Sequence, residues 1–331
     1  MTHYYHCYGL NLESDVDLWP LPPENALDKI TSASNEEAVV IACGSVSNSG
    51  FCDNTTGLSH CHAMPDAVWL NIPNVARFLI EGGRKIAYEI ARNEEHDSQY
   101  CKAYNKEPST KSDAAKILEL ALFIQSHCIA YILTQRNYLV LRASAVRAGN
   151  KAVLFAGQTH TGKSTYAAAL HHRHFDVICD DVCVIDNNNR VLPGYPYLKI
   201  WADIVRYLKY DLTHFKPLRP LVDKYFYPLG KGFCNTPLPV GDIYMINKSQ
   251  AGRWSTNAIT GLNKHHRIEG VVYRPAVRQA LQLSPLAPKI LKLVASTNMV
   301  NATWPDPIRI TNYKPRIAHQ LQFFLDHSNK A

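Results

Sequence analysis

Apolar and polar positions are spaced in three successive ways along this chain. In the first ninety residues the apolar positions fall in short runs of strand length, at 38–42, 67–72, 76–80 and 85–90, bounded by polar and turn-forming residues. Gly82-Gly83, between the last two runs, predicts a hairpin. Over 92–112 the apolar positions thin out into Asn, Glu, Lys and Ser, which reads as a linker. It divides the chain into an N-terminal α+β region, 1–110, and a second domain, 111–331. Next, Ser112 or Asp113 caps a helix predicted to run to about 135, with Ile117, Leu120, Ala121, Ile124, Cys128 and Tyr131 at helical spacing. Its apolar stretch is interrupted by Glu119, Gln125, Ser126 and His127, which suits a buried core helix better than a membrane span.

Beyond that helix the runs are again short. Strands are predicted at 138–141 and 143–146, followed by a turn at Ala148-Gly149-Asn150 and an apolar run at 152–156. A helix-forming stretch follows at 166–170, then a strand at 175–179 that continues through 182–185 towards the Asn187-Asn188-Asn189 turn. Prolines from Pro193 to Pro239 break the next region into short pieces, and a last helix is predicted at 317–327. Alternation of single strands with helices around one apolar run gives an α/β fold class.

Between the run at 152–156 and the helix after it stand Gly157, Gln158, Thr159, His160, Thr161, Gly162, Lys163, Ser164 and Thr165, which spell G-x-x-x-x-G-K-[ST]. Such a loop turns consecutive backbone N–H groups towards one centre, where the helix N-terminus adds partial positive charge. Lys163 would reach the terminal phosphates of a nucleotide and the Ser164 hydroxyl would ligate Mg²⁺. A plain glycine turn would leave the Lys-Ser pair without a purpose.

Composition changes this picture little. With 46% hydrophobic and 19% charged residues over 331 positions, the chain can bury a large core. Its net charge of +7 is spread without a Lys/Arg block, so nucleic acid is not indicated as a partner. The start, Met1-Thr2-His3-Tyr4-Tyr5, lacks the basic and apolar segments of a signal peptide, and a cytoplasmic protein with no membrane partner is expected. Nine irregularly spaced cysteines fit reduced thiols.

Asp180 and Asp181 follow Lys163 by seventeen and eighteen positions, room for one helix and one return strand. That arrangement brings two carboxylates beside the loop, where one can hold Mg²⁺ and the other can accept a proton from an attacking hydroxyl. A nucleotide hydrolase needs only to position water, so the second acid favours transfer to an alcohol. Spacing does not separate Asp180 from Asp181 in these two roles.

Leu141-Arg142-Ala143-Ser144-Ala145-Val146, the loop, and Val177-Ile178-Cys179-Asp180-Asp181, in this order, resemble the core of HPr kinase/phosphorylase-like proteins. These are P-loop serine kinases whose fold is shared with ATP-dependent phosphoenolpyruvate carboxykinase. Outside the core, Tyr8-Gly9-Leu10, the stretch from Ile72 to Phe78, and Pro193-Gly194-Tyr195-Pro196 look like the relatives of these kinases found with peptide-modifying machinery, including those that phosphorylate lasso-peptide precursors. The resemblance implies ATP and Mg²⁺ as cofactors, a serine hydroxyl on a peptide or small protein as acceptor, and an oligomer. It implies that Lys163 neutralises the transferring charge, that Ser164 ligates Mg²⁺, and that Asp180 and Asp181 share the metal and base roles, with Asp181 favoured as base and Asp180 as metal ligand. The family's phosphorylases carry His where this chain has Arg142, whose fixed charge can clamp a phosphate but cannot shuttle a proton. One-way kinase activity is therefore expected. The family's later metal-binding Glu has no counterpart, since 192–202 contains no acid, which leaves Ser164, one Asp and water for the metal.

Other features carry plainer expectations. Cys52, His60, Cys61, His62, Cys179 and Cys183 lack zinc-ligand spacing. His171, His172 and His174 read as solvated groups at a helix C-terminus. Arg219 and Lys224 read as surface charges. A small-molecule alcohol kinase and a non-catalytic nucleotide-binding protein are the rival readings, the first requiring a deep closed pocket beside Asp181 and the second an inert Asp181.

Overall fold

The computed structural model describes residues 2–19, 37–46, 60–91, 113–219, 222–249 and 255–305, so the linker at 92–112, the helix at 317–327 and Cys52 lie outside the described residues. The first part is a sheet of β1 (His3–Cys7), β2 (Leu10–Ser14), β3 (Val39–Cys43), β4 (His60–Met64), β5 (Ala67–Ile72), β6 (Ala76–Glu81) and β7 (Lys85–Ile90). In space the order is β1-β2-β3-β7-β6-β5-β4, with parallel pairing on both sides of β3 and antiparallel pairing elsewhere. Alternation decides which face is buried: Ala76, Phe78 and Ile80 of β6 point inward, while Arg77 and Glu81 point away. The predicted hairpin forms with Gly82 and Gly83 both at positive φ. Strands β1, β2 and β4 have no counterpart among the predicted runs, because Tyr, His and Asn alternate there in place of aliphatic residues.

The predicted core helix is present as α1 (Asp113–Phe123), one π-helical turn (Ile124–Cys128) and α2 (Ile129–Gln135). Residues 115–135 are long and apolar enough to cross a membrane, but 78% of the segment's apolar window is buried inside this fold. It packs against β6 of the first sheet. It also meets β8 (Leu139–Leu141), the first strand of the second sheet.

The second sheet continues with β9 (Ala143–Ala148), β10 (Lys151–Ala156), α3 (Lys163–His171), β11 (Val177–Cys179), β12 (Cys183–Ile185) and β13 (Arg190–Leu192). A small third sheet follows, made of β14 (Tyr197–Trp201), then α4 (Ala202–Tyr207), β15 (Pro217–Arg219) and β16 (Val222–Pro228). The second sheet is completed by β17 (Leu238–Ser249), β18 (Ser255–Ala258), helices α5 (Leu262–Glu269), α6 (Pro275–Ala280) and α7 (Ala287–Ala295), and β19 (Asn298–Pro305). Strand β10 lies between β9, antiparallel, and β17, parallel.

Residues 175–185 are not one strand. β11 pairs with β9, whereas β12 pairs with β8 and β13. The break is a γ-turn at Asp181, whose φ of 70° lets the Val182 N–H donate to the Asp180 carbonyl at 2.9 Å. This hand of γ-turn is costly for most residues, and Asp is among the few that tolerate it.

One apolar cluster joins Leu10, Phe78 and Ile80 of the first sheet to Ile129 and Leu133 of α2 and to Leu141 and Val184 of the second. Tyr8 carries this contact to the site: its N–H donates to the Pro193 carbonyl at 2.7 Å, and its ring edge-packs on Tyr195. A second cluster lies on the other face of β10, where Ala167, Ala168 and Leu170 of α3 meet Phe155 and Tyr244. Alanines on that helix face let α3 sit close to the strand that feeds the loop. The whole is mixed α/β, with mixed strand directions in its two larger sheets.

Candidate active site

The loop from Gly157 to Gly162 leaves β10 and enters α3 at Lys163. Two glycines are there for different reasons. A side chain at Gly157 would come within 2.5 Å of the Ile246 carbonyl on β17, and Gly162 has a φ of 100°. His160 also has positive φ, at 65°. Inside the loop, Thr161 Oγ1 donates to the Gln158 carbonyl at 2.8 Å, and Lys163 Nζ reaches back to the same oxygen at 2.8 Å. Gln158 Nε2 ties the loop to the Gly270 carbonyl just beyond α5 at 2.9 Å. The first N–H groups of α3 have no partner within the helix and face the loop centre.

Asp180 is buried beneath the start of α3 and is held on both oxygens. Oδ1 accepts the Ser144 hydroxyl at 2.6 Å and the Ser164 hydroxyl at 2.8 Å, and Oδ2 accepts the Lys199 N–H at 3.2 Å. With its proton on Asp180, Ser164 keeps oxygen lone pairs for a cation. A serine hydroxyl with a carboxylate behind it is a hard-oxygen donor set that suits Mg²⁺, the remaining positions falling to water and phosphate. Ser144 acts through Asp180, a role that its own strand context on β9 does not announce.

Asp181 is different. Its side chain is 51% exposed, and its Oδ2 lies 3.6 Å from the Nζ of Lys199, which is itself buried. Partial desolvation pushes the Asp181 carboxyl up, but the ammonium groups of Lys199, Lys224 and Lys163 outweigh it and hold the group below its ordinary value. Lys163 titrates lower than usual because burial disfavours its charge, with both aspartates pulling the other way. Lys224 is lowered by burial too.

Several expectations change here. Lys224 is no ordinary surface charge: it is half buried, 5.8 Å above the Trp201 ring and within the field of both aspartates. Arg219 pairs with the buried Glu119 at 3.0 Å and stacks on Phe123, because a carboxylate placed on the core face of α1 requires a cation. His171 is not a solvated cap either. Its ring lies between the Tyr227 hydroxyl and the Leu229 carbonyl, each at 3.1 Å, and burial lowers its pKa. Tyr210, 3.2 Å from His172, belongs to the same aromatic group.

Arg142 stands at the loop's edge, 3.3 Å from Thr159 Oγ1 and over the ring of Tyr273 at 5.3 Å. His160 turns towards Trp201, ring centroids 6.2 Å apart. Trp201 is 40% exposed and lies near both His160 of the loop and Lys224.

His127, read only as a polar interruption in a helix, lies in the π-turn. The wider turn frees backbone carbonyls, and tyrosines from elsewhere take them: Tyr195 donates to the Gln125 carbonyl at 3.2 Å and Tyr273 to the Ser126 carbonyl at 2.9 Å. His127 thereby comes under the influence of Arg274, Asp181, Lys199 and Arg142. Burial and the three cations push its pKa down to about 4. The periodicity of a helix contains no sign of this, and the same holds for Lys199, whose strand neighbours are apolar.

No family model and no curated protein matches the chain. Among solved structures it is similar to the Hpr(Ser) kinase/phosphatase from Coxiella burnetii, at 13% identity and a TM-score of 0.26, over 56% of this chain and 98% of that one. So loose an overlay assigns no residue, and the role of each side chain rests on the distances within this chain.

Proposed function

We propose that this chain is an ATP-dependent, Mg²⁺-requiring kinase that transfers the γ-phosphoryl group to a serine hydroxyl of a peptide or small protein. The observation that carries the reading is the pair of carboxylates behind the loop. Asp180 is fully engaged in orienting Ser164, and Asp181 is held charged beside the Lys199 ammonium with half of its side chain exposed to meet an acceptor. A nucleotide-binding scaffold has no use for a second carboxylate held at the apex of a costly turn.

In this reading the loop N–H groups, the α3 N-terminus and Lys163 hold the phosphates and neutralise charge on the transferring group. Mg²⁺, held by Ser164 with Asp180 behind it, supplies further charge neutralisation when bound. Asp181 accepts the hydroxyl proton. A low pKa suits a loose transition state, in which the hydroxyl proton leaves late and orientation of the acceptor counts for more than basicity. Arg142 contacts the loop through Thr159 and clamps phosphate without taking a proton.

The half-exposed Asp181 and the exposed Trp201 give the site an open rim, which favours a chain segment as acceptor over a small alcohol enclosed by the protein. A ribosomally made precursor peptide of the lasso type is one acceptor of this class. The test is mass spectrometry of serine-containing peptides incubated with ATP and Mg²⁺. Transfer is expected with the wild type and a loss of at least about a hundredfold with Lys163→Ala or Asp181→Asn. Asn tolerates the same backbone conformation, so the second variant should stay folded. Full transfer by either variant would refute the roles assigned. Phosphate release from the phosphorylated peptide is expected to be negligible.

A further inference from the structure

We propose that Lys199, with its backbone N–H on Asp180 Oδ2 and its ammonium on Asp181 Oδ2, takes the place of a second divalent cation between Asp180 and Asp181, so that the nucleotide site loads a single metal ion. The inference rests on the nucleotide-binding reading of the loop and concerns what the carboxylate pair can hold.

Two adjacent carboxylates beside a phosphate loop are, by donor set, able to bind a metal between them. Here Lys199 grips both. Its backbone N–H donates to Asp180 Oδ2 at 3.2 Å and its Nζ lies 3.6 Å from Asp181 Oδ2. The side chain is only 8% exposed, so the ammonium cannot swing into solvent to make room. Strand β14 fixes the residue in register opposite Phe226 of β16, and the next residue on the same face, Trp201, lies opposite Lys224. Lys224 adds a second ammonium from that side.

A cation bridging the two carboxylates would meet the Lys199 ammonium at close range and the field of Lys224 as well. On the other side of Asp180, Oδ1 is directed at Ser144 and Ser164, and this is the side that faces the loop. Around the carboxylate pair the described residues therefore leave one cation position, at Ser164, and fill the other with a covalently attached charge. Such a charge cannot dissociate or be chelated, and it neutralises the Asp181 side of the site whether or not metal is present. Lys199 in this view is a positioning residue that sets metal stoichiometry and orients Asp181.

The experiment counts Mn²⁺ bound per chain in the presence of a non-hydrolysable ATP analogue, from the electron paramagnetic resonance signal of the free ion. One Mn²⁺ per chain is expected for the wild type, and two for Lys199→Glu, in which the cation becomes a third carboxylate. Lys199→Gln, which keeps the volume and removes the charge, guards against misfolding of the first variant and should bind the second ion more weakly. It should also require at least tenfold more Mg²⁺ for half-maximal transfer than the wild type. Two ions in the wild type, or one ion in a folded Lys199→Glu protein that still binds the analogue, would overturn the proposal and leave the kinase reading standing. No analogue-dependent Mn²⁺ in the wild type would overturn both.

Discussion

At the scale of single residues, the site works by giving chemically equal groups unequal surroundings. Asp180 and Asp181 are neighbours in sequence, yet one accepts three hydrogen bonds beneath α3 and the other faces solvent among lysines. His127 belongs to the same electrostatic field. Its pKa in the folded protein is lowered to about 4, against an ordinary value of 6.5 in an unfolded chain. Between those values the unfolded state binds the extra proton, so stability is unaffected by this group above pH 6.5 and falls as pH is lowered towards 4. The full cost is about 3 kcal/mol, at 1.36 kcal/mol per pH unit. Urea denaturation at pH 7 and at pH 4.5 should therefore show a larger loss for the wild type than for His127→Gln. An equal loss in both would mean that His127 is not shielded from protonation.

At the scale of elements, the turn between β11 and β12 matters most, and its support comes from the N-terminal sheet. The Tyr8 ring fills the space beside Gly194, where an added Cβ would lie 2.8 Å from the Tyr8 hydroxyl and 3.0 Å from Cys179 Cβ. Gly194→Ala should thus destabilise by roughly 1–3 kcal/mol through overpacking, and push Asp180 out of register with Ser164, so that Mg²⁺ affinity falls along with the melting temperature. The Tyr8 hydroxyl is buried without a hydrogen-bond partner among the described residues. Removing it leaves nothing unsatisfied, so Tyr8→Phe is expected to hold or raise the melting temperature. A marked drop on calorimetry would show that the hydroxyl has a partner after all. The π-turn is the other decisive element: a regular helix would withdraw the Gln125 and Ser126 carbonyls from Tyr195 and Tyr273 and rotate His127 away from the site.

At the scale of the whole molecule, the described residues before 92 and after 112 share an interior. Leu10, Phe78 and Ile80 lie in one cluster with Leu133, Leu141, Tyr195 and Tyr197. A fragment comprising residues 113–305 would expose that surface, and it is expected to lack cooperative melting and near-ultraviolet circular dichroism while keeping some helix. A fragment that melts cooperatively would instead make the N-terminal sheet an accessory to an independent core. The same packing gives that sheet a mechanical role, since Tyr8, between β1 and β2, touches the segment 193–195 that lies against Cys179, next to Asp180.

Local order accounts for what could be read without a fold. A glycine pattern after an apolar run, a Lys-Ser pair at a helix start, strands with aliphatic alternation and a long amphipathic helix are all properties of neighbours in sequence, and they appear in the structure within a residue or two. That a carboxylate returns beside the loop one helix and one strand later was legible for the same reason, whereas spacing did not say which of Asp180 and Asp181 would accept the Ser164 hydroxyl. Tertiary structure alone decided the rest. Ser144 reaches Asp180 across a sheet, Lys199 and Lys224 come from a separate three-stranded sheet, and His127 is turned by a π-turn whose carbonyls are satisfied from two other segments. Electrostatic partners at such separations are chosen by packing, and no spacing within the chain records them.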